Sequence, residues 1–376
     1  MRLWIIGNGF DLYHGLKTSY LDYKAYVCQH RTCKSKNREI PPESLPREVC
    51  RNCCTDQFKK RDCPVQKFNT LPRTELKENL WRDLEEACSV DLDALLDHLD
   101  GLDRNADIML LHRDLDFAEV FTGDDFRDWL RDVERSLGGP ENRKLEGLGP
   151  HDLFLTFNYT TTLQKVYGIL DERIKYVHGS VEDAAQIIEE ANRKEKERIE
   201  VDAIIKVGRL IHSCLAFGSP DLSDEAIRST VDRCAKSKHL STEYAEEICH
   251  NLTRQVELLK KDVQSRVKPI KDFVEKKCDP SALDEIVVAG HSLGRIDRPY
   301  FNYLTDYFRC VKWRFLFHTK EDIVKAFEFC ERYGLDGYCV PWDSPMKSIH
   351  GGVPCPDRGG VECPGFSICW PSKHDD

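Results

Sequence analysis

No run of apolar residues in this chain is long enough to cross a bilayer, which excludes a helical membrane span. No charged leader with an apolar core stands before the first strand-like run, which begins directly after Met1-Arg2. The expectation is therefore a cytoplasmic protein without a signal peptide. Positive charge is not in excess: 55 Lys and Arg against 65 Asp and Glu leave a net charge of −10. That balance speaks against a surface built for nucleic acid. Residues 28–67 are the exception, with ten Lys and Arg against five Asp and Glu. Sustained periodicity is also missing from about 28 to 70, so this stretch reads as a basic, Cys-rich insertion.

The chain does have length and cysteine. Its 376 residues leave room for a large core, as two domains or as one domain with insertions. Its 17 cysteines are many for a compartment where disulfides seldom persist. They cluster at Cys28, Cys33, Cys50, Cys53, Cys54 and Cys63, and again at Cys330, Cys339, Cys355, Cys363 and Cys369.

The first two dozen residues organise the rest. Leu3-Trp4-Ile5-Ile6 is an apolar run that ends in Gly7-Asn8-Gly9, with Phe10-Asp11 following and His14-Gly15 close behind. This predicts a first parallel strand turning sharply into a helix. Gly7 supplies backbone freedom there, and Gly9 allows close approach to a ligand. Backbone N–H groups of such a turn can face an anion.

Further strands are expected at Leu153–Phe157, Ile174–Val177, Cys214–Phe217, Ile286–Ala289 and Val311–Phe317. Most end in a short polar motif: Asn158-Tyr159-Thr160, His178-Gly179-Ser180, Gly218-Ser219-Pro220-Asp221, and Gly290-His291-Ser292 running on to Asp297. Helical spacing appears around Trp81 to Leu99, over Phe126, Trp129, Leu130 and Val133, and most clearly over 241–268. Pro269 is expected to break or kink that last helix. Strands separated by helical stretches predict a mainly parallel sheet flanked by helices. In such a sheet ligands bind beyond the carboxyl ends of the strands, so the motifs should converge on one crevice.

Two phosphate-friendly turns, the Asn158 amide and the His178 imidazole suit a dinucleotide. The amide can hold a ribose hydroxyl, and a histidine titrating near neutrality can act as general base.

As an ordered set, Gly7-Asn8-Gly9-Phe10-Asp11 with His14-Gly15-Leu16 and Thr18-Ser19-Tyr20, Trp81 to Glu85, Phe157-Asn158-Tyr159-Thr160, His178-Gly179, and Gly290-His291-Ser292-Leu293 with Asp297 resemble the bacteriophage abortive infection AbiH family. The resemblance spans roughly residues 1–320. It implies an antiphage effector that halts the infected cell, and candidate cofactor-binding residues Gly7, Asn8, Gly9, Asp11, His14, Gly290, His291, Ser292 and Asp297. The order of motifs is also distantly similar to sirtuins and SIR2-like NAD-consuming domains, which implies a Rossmann-like (SIR2-like) fold. By that likeness Asn158 and His178 form the catalytic pair, Gly7, Gly9 and Ser292 cradle NAD, and the reaction is N-glycosidic cleavage to nicotinamide and ADP-ribose. The chain departs from sirtuins at Asn8 and Phe10. Its middle cysteines, Cys214, Cys234, Cys249 and Cys278, lack paired C-x-x-C spacing for a zinc ribbon, which speaks against protein deacylation.

The expected organisation is one α/β domain over 1–330. It carries a basic Cys-rich insertion at about 28–70 and helical insertions at about 75–140 and 183–280. Residues 331–376 are expected to form a Cys-rich C-terminal extension. The expected partners are a dinucleotide, a phage-derived trigger and, for a homo-oligomer, further copies of the chain. Membranes are not expected, nor nucleic acid except through the basic 28–67 insert.

Two other readings compete. Gly290-His291-Ser292-Leu293-Gly294 fits a G-x-S-x-G nucleophile elbow after a strand, with Ser292 as the nucleophile of an esterase and Asp336 or Asp343 and His350 as partners. Against it, Arg298-Pro299 follows within a few residues and only 84 residues remain after Ser292. Alternatively Cys28, Cys33, Cys50 and Cys53 are candidate zinc ligands, which would make the protein a non-enzymatic switch whose basic insert senses nucleic acid or a phage product.

Overall fold

The computed structural model describes residues 1–27, 124–137, 145–182, 224–238, 241–258, 263–342 and 366–368. The expected elements at 28–70, Trp81 to Glu85 and Cys214–Phe217 lie outside these residues. So do Cys28, Cys33, Cys50, Cys53, Asp343, His350, Cys355, Cys363 and Cys369.

In chain order the described elements are β1 (Arg2–Ile6), α1 (Asn8–Tyr13), α2 (Tyr20–Val27), α3 (Asp124–Arg135), β2 (Leu153–Thr156), α4 (Thr162–Tyr167) and β3 (Ile174–Tyr176). There follow α5 (Asp224–Lys238), α6 (Thr242–Leu258), α7 (Val263–Lys277), β4 (Glu285–Ala289), α8 (Arg298–Tyr307), β5 (Trp313–Phe317), α9 (Lys320–Tyr333), β6 (Gly337–Pro341) and β7 (Phe366–Ile368). They fall into two compact units. The first comprises Met1–Thr18, Val133–Glu182 and Asp262–Asp376, and the second Ser19–Asp132 and Asp183–Lys261.

The first unit is built on a seven-stranded sheet of order β3-β2-β1-β4-β5-β6-β7. Every neighbouring pair is parallel. A parallel strand covered on both faces needs apolar residues at every position, and β1 supplies Leu3, Trp4, Ile5 and Ile6, all buried. Alternation then sorts them. Leu3 and Ile5 join Ile286 and Val288 of β4 on the face covered by α7, α8 and α9, through Ile270, Val274, Phe301, Leu304 and Phe329. Trp4 and Ile6 join Val287 and Ala289 on the opposite face, against Phe10 of α1 and Leu163 of α4. Because parallel crossovers are right-handed, a chain that runs outward from β1 in both directions must put its helices on opposite faces.

The first six strands thus have the 3-2-1-4-5-6 order of a Rossmann-like fold. Its switch point lies between β1 and β4.

The strand exits on the carboxyl side are tied in a staircase. Gly7 N–H donates to Ala289 O at 3.0 Å, Phe157 N–H to Ile6 O at 2.8 Å, and Val177 N–H to Thr156 O at 2.8 Å. The loops leaving β1, β2 and β3 therefore start at one level.

Three expectations change. The helix expected over 241–268 is described as α6 and α7, on either side of residues 259–262, and Pro269, expected to end it, lies inside α7. Ile270 and Val274 are buried on the sheet, and this burial carries α7 through the proline. For the same reason α7 belongs to the sheet unit and not to a helical insertion reaching 280. Finally, residues after 330 are not only an extension: β6 and β7 continue the sheet, with Cys339 and Val340 buried.

In the second unit Tyr23 of α2 meets Phe126 and Trp129 of α3 at ring-centroid distances of 5.1 and 5.0 Å. The apolar stripe of α3 is a core face, as its spacing predicts. Helices α5 and α6 pack together, burying Ile227, Val231, Ala245 and Ile248. No helix among the described residues is long and apolar enough to cross a membrane.

The glycine at 290 carries the sharpest packing test. It has φ +69°, and a Cβ there would lie 2.2 Å from Phe10 N. Gly15 has φ +78° with nothing within 4 Å of its Cβ position. Left-handed strain costs about 1–2 kcal/mol, and overpacking adds about 1–3 kcal/mol. Gly290→Ala should therefore lose roughly 2–5 kcal/mol and Gly15→Ala only about 1–2 kcal/mol, measured from urea midpoints at unchanged slope. Equal losses would refute the close approach.

Candidate functional site

The loops after β1 and β4 are fastened to each other at the switch point. Gly9 N–H donates to Gly290 O at 2.8 Å. A Cβ on Gly7 would lie 2.5 Å from His291 Cα, and one on Gly9 would lie 2.7 Å from Gly290 Cα. The glycines are needed because backbone packs on backbone. This corrects the expectation of an open anion nest: the N–H groups of Gly7, Gly9 and Phe10 are engaged by Ala289 O, Gly290 O and Gly7 O.

Asn8 and His14, expected to bind cofactor, are likewise taken up within the fold. Asn8 Nδ2 donates to Thr18 O at 3.0 Å. His14 is buried, with Nδ1 2.6 Å from Phe10 O and Nε2 bonded to the Tyr167 hydroxyl. A carbonyl only accepts, so Nδ1 carries the hydrogen and Nε2 accepts from Tyr167. Burial lowers the His14 pKa, which keeps this ring neutral.

Asp11 turns inward from α1. It accepts hydrogen bonds from Thr160 Oγ1 at 2.6 Å and Thr162 Oγ1 at 2.7 Å. Thr161, between them, points the other way and donates through Oγ1 to Glu134 Oε2 at 2.7 Å, where Lys165 also donates at 2.6 Å. Three successive threonines thus pin the loop after β2 to two buried carboxylates. Burial pushes the Asp11 pKa up to about 6, against the lowering effect of the two hydroxyls and the nearby Asn158 amide.

Two polar side chains near this network are buried yet unsatisfied. Asn158 is 5% exposed; its amide bears on the Asp11 carboxyl, and neither Oδ1 nor Nδ2 makes a hydrogen bond of normal length and angle. Thr18 Oγ1 likewise makes none. Leaving such groups unpaired costs about 1–3 kcal/mol each, so they mark a place where a polar ligand group or water fits.

The loops after β3 and β4 contribute a histidine–carboxylate–histidine set. His178 Nε2 lies 3.5 Å from Asp297 Oδ1, and His291 Nε2 lies 3.5 Å from Asp297 Oδ2. Phe157 seats both imidazoles, edge-on at centroid distances of 5.2 and 4.3 Å. Tyr159 adds a ring 6.2 Å from His178, so both neighbours of Asn158 in the chain lean on this histidine. The structure therefore brings Asn158, His178, His291, Asp297 and Asp11 to the carboxyl ends of β1, β2, β3 and β4.

Ser292 is exposed, and the left-handed residue of its turn is Leu293, at φ 56°. The chain then makes a 3-10 turn at Arg295–Asp297 before α8 starts. A nucleophile elbow instead strains the serine itself and enters a helix directly. Pro299, which sequence reading counted against a helix here, sits in the first turn of α8.

Residues 3–318 match the family described as bacteriophage abortive infection AbiH. The chain belongs to the AbiH family. No curated protein and no solved structure matches this AbiH-family chain. The matched stretch includes the whole constellation just described, from Gly7 to Asp297. Among the described residues no group of three or more His, Cys, Asp or Glu is placed to hold a metal ion.

Thr160 and Thr18 had a place in the sequence motifs but no role, and Glu134, Thr161 and Thr162 went unnoticed. The run of three threonines after Phe157-Asn158-Tyr159 was the available signal, since hydroxyls clustered at a helix start commonly bond buried acceptors.

The raised pKa of Asp11 gives its pH dependence a definite sign. Its folded pKa is above its unfolded value, so the folded protein holds a proton that the unfolded chain releases between about pH 4 and 6. Stability from this group is present below pH 4 and is lost as pH rises through 6. A rise of that size corresponds to about 3 kcal/mol. Relative to wild type, Asp11→Asn should gain about 3 kcal/mol between pH 4 and pH 7.5 in urea denaturation. Parallel pH profiles for the two proteins would show that Asp11 is not the group responsible.

Proposed function

We propose that this AbiH-family protein acts in abortive infection by hydrolysing NAD at its N-glycosidic bond, with His178 and Asn158 as the catalytic pair. One observation carries the reading: a buried carboxamide without a close hydrogen bond follows β2, and a buried imidazole that rests on the rings to either side of that carboxamide follows the adjacent β3, at the carboxyl ends of a 3-2-1-4-5-6 sheet. A carboxamide in that state matches a ligand that offers both an acceptor and a donor, as a ribose hydroxyl does. Sheets of this order bind dinucleotides beyond these strand ends.

In the proposed reaction water attacks C1′ of the nicotinamide ribose. The glycosidic bond breaks with its electron pair going to the pyridinium nitrogen, so nicotinamide leaves neutral. His178 takes the proton from water and later releases it to solvent, and ADP-ribose is the second product. Asn158 holds the ribose during the oxocarbenium-like stage. Asp11, behind Asn158, keeps that loop seated through Thr160 and Thr162. A phage-derived trigger would switch the activity on.

The test is chromatography of nicotinamide and ADP-ribose after incubating purified protein with NAD, alone and with phage lysate. Wild type should turn NAD over, and His178→Ala and Asn158→Ala should each lose roughly 10²-fold or more. A wild type that yields neither product under either condition would count against the proposal, as would full activity in both variants.

A further inference from the structure

We infer that Asp297 is the positioning residue of this site: it holds His178 in the tautomer with hydrogen on Nε2, so that the proton-accepting atom is Nδ1. This rests on the reading of His178 as the general base, but its first test does not.

Asp297 occupies the N-cap of α8, where an aspartate ordinarily accepts a hydrogen bond from the second or third helical N–H. Its side chain makes no such cap bond. The carboxylate is turned to the two imidazoles, with one oxygen 3.5 Å from each Nε2. All three side chains are nearly out of water, at 4% and 3% exposure for the histidines and 10% for the aspartate.

The second histidine decides the proton count. Leu293 N–H donates to His291 Nδ1 at 2.9 Å, so Nδ1 of that ring is the acceptor and the hydrogen is on Nε2, facing Asp297. Leu293 adopts its left-handed φ of 56° in making this turn, a strained conformation for a leucine that persists where the surroundings enforce it. One carboxylate oxygen is thus assigned to His291. The other faces His178 Nε2, and an ionised carboxylate only accepts. Hydrogen on Nε2 leaves the His178 lone pair on Nδ1. When Nδ1 takes a proton, the imidazolium stands against a carboxylate already in place. Separations of 3.5 Å are long for finished hydrogen bonds, and such contacts commonly tighten when substrate is bound.

The experiment is a two-dimensional proton–nitrogen spectrum of the full chain labelled with nitrogen-15 histidine, recorded without NAD. His178 and His291 are assigned from their single substitutions. Both rings should show hydrogen on Nε2 in wild type. An asparagine at 297 can accept from only one ring and must donate toward the other. His291 is pinned by Leu293, so Asp297→Asn should move His178 to the Nδ1–H form and leave His291 unchanged. On the proposed activity the same variant should lower kcat about 10²–10⁴-fold with KM nearly constant. Hydrogen on Nδ1 of His178 in wild type would overturn the assignment, and so would an Asp297→Asn spectrum in which His178 keeps its wild-type tautomer. If the spectra come out as expected and NAD is untouched, the positioning holds and the substrate reading fails.

Discussion

The backbone contact between the turn after β1 and the turn after β4 underlies the rest of the structure. Gly9 and Gly290 approach more closely than any side chain would permit, and a hydrogen bond from one to the other locks the approach. Parallel strands alone would set the spacing of β1 and β4 but not the path of the chain beyond them. The interlock sets that path. It sends Phe10 and His14 to one face of the sheet, turns Asp11 toward the loop after β2, and places His291 over Phe157. Any bulk at the contact would separate the two halves of the sheet where their polar residues meet.

Outward from that contact, the buried polar groups divide into two kinds. Some are fully occupied: Asp11 by two threonines, Glu134 by Thr161 and Lys165, and His14 by Phe10 and Tyr167. These give the loops a single conformation, because a half-satisfied network in a low-dielectric interior would be worse than an apolar one. Asn158, whose amide has only the Asp11 carboxyl to lean on, and Thr18 Oγ1 are the other kind, buried without a hydrogen bond of normal geometry. Rigid surroundings and open valences together describe a preorganised receptor: the desolvation has been met in folding, and an incoming polar group need not displace a competing bond. The Asp297 pair of contacts belongs between the two kinds, long in this state and aimed at nitrogen atoms whose protonation sets their use.

How much of this could be seen in the chain beforehand depended on distance. Strands β1, β2 and β4 were legible because burial on both faces demands an apolar run, and β5 by its alternating Trp313, Phe315 and Phe317. Strand β3, with Lys175 at its centre, was legible from its apolar flanks and the polar motif that ends it. Strand β6 was not, since Gly337-Tyr338-Cys339-Val340-Pro341 is short and begins and ends with strand-breaking residues. Helix α9 went unexpected, although Thr319 and Asp322 form a capping box at its start and Gly334 ends it. Pro269 misled because the apolar face it interrupts is held by the sheet and not by its own hydrogen bonds. At the site, the polar residues that follow strands were visible as motifs, but their partners were not. Asp11 and Thr160 are 149 positions apart, and no local pattern links them. The glycines were recognised as necessary for a different reason, since an absent side chain does not say what fills its space.

The strand order also shapes how the molecule is made. β1 precedes both of its partners in the chain and ends as a central strand, pairing with β2 beginning at Leu153 and with β4 beginning at Glu285. At ordinary elongation rates of about 5–20 residues per second, its second neighbour leaves the ribosome on the order of tens of seconds later. During that interval Leu-Trp-Ile-Ile offers an apolar edge with no native mate, the kind of segment that other nascent chains or chaperones capture. The centre of the sheet, where the candidate site residues meet, would thereby stay open until β4 has been synthesised.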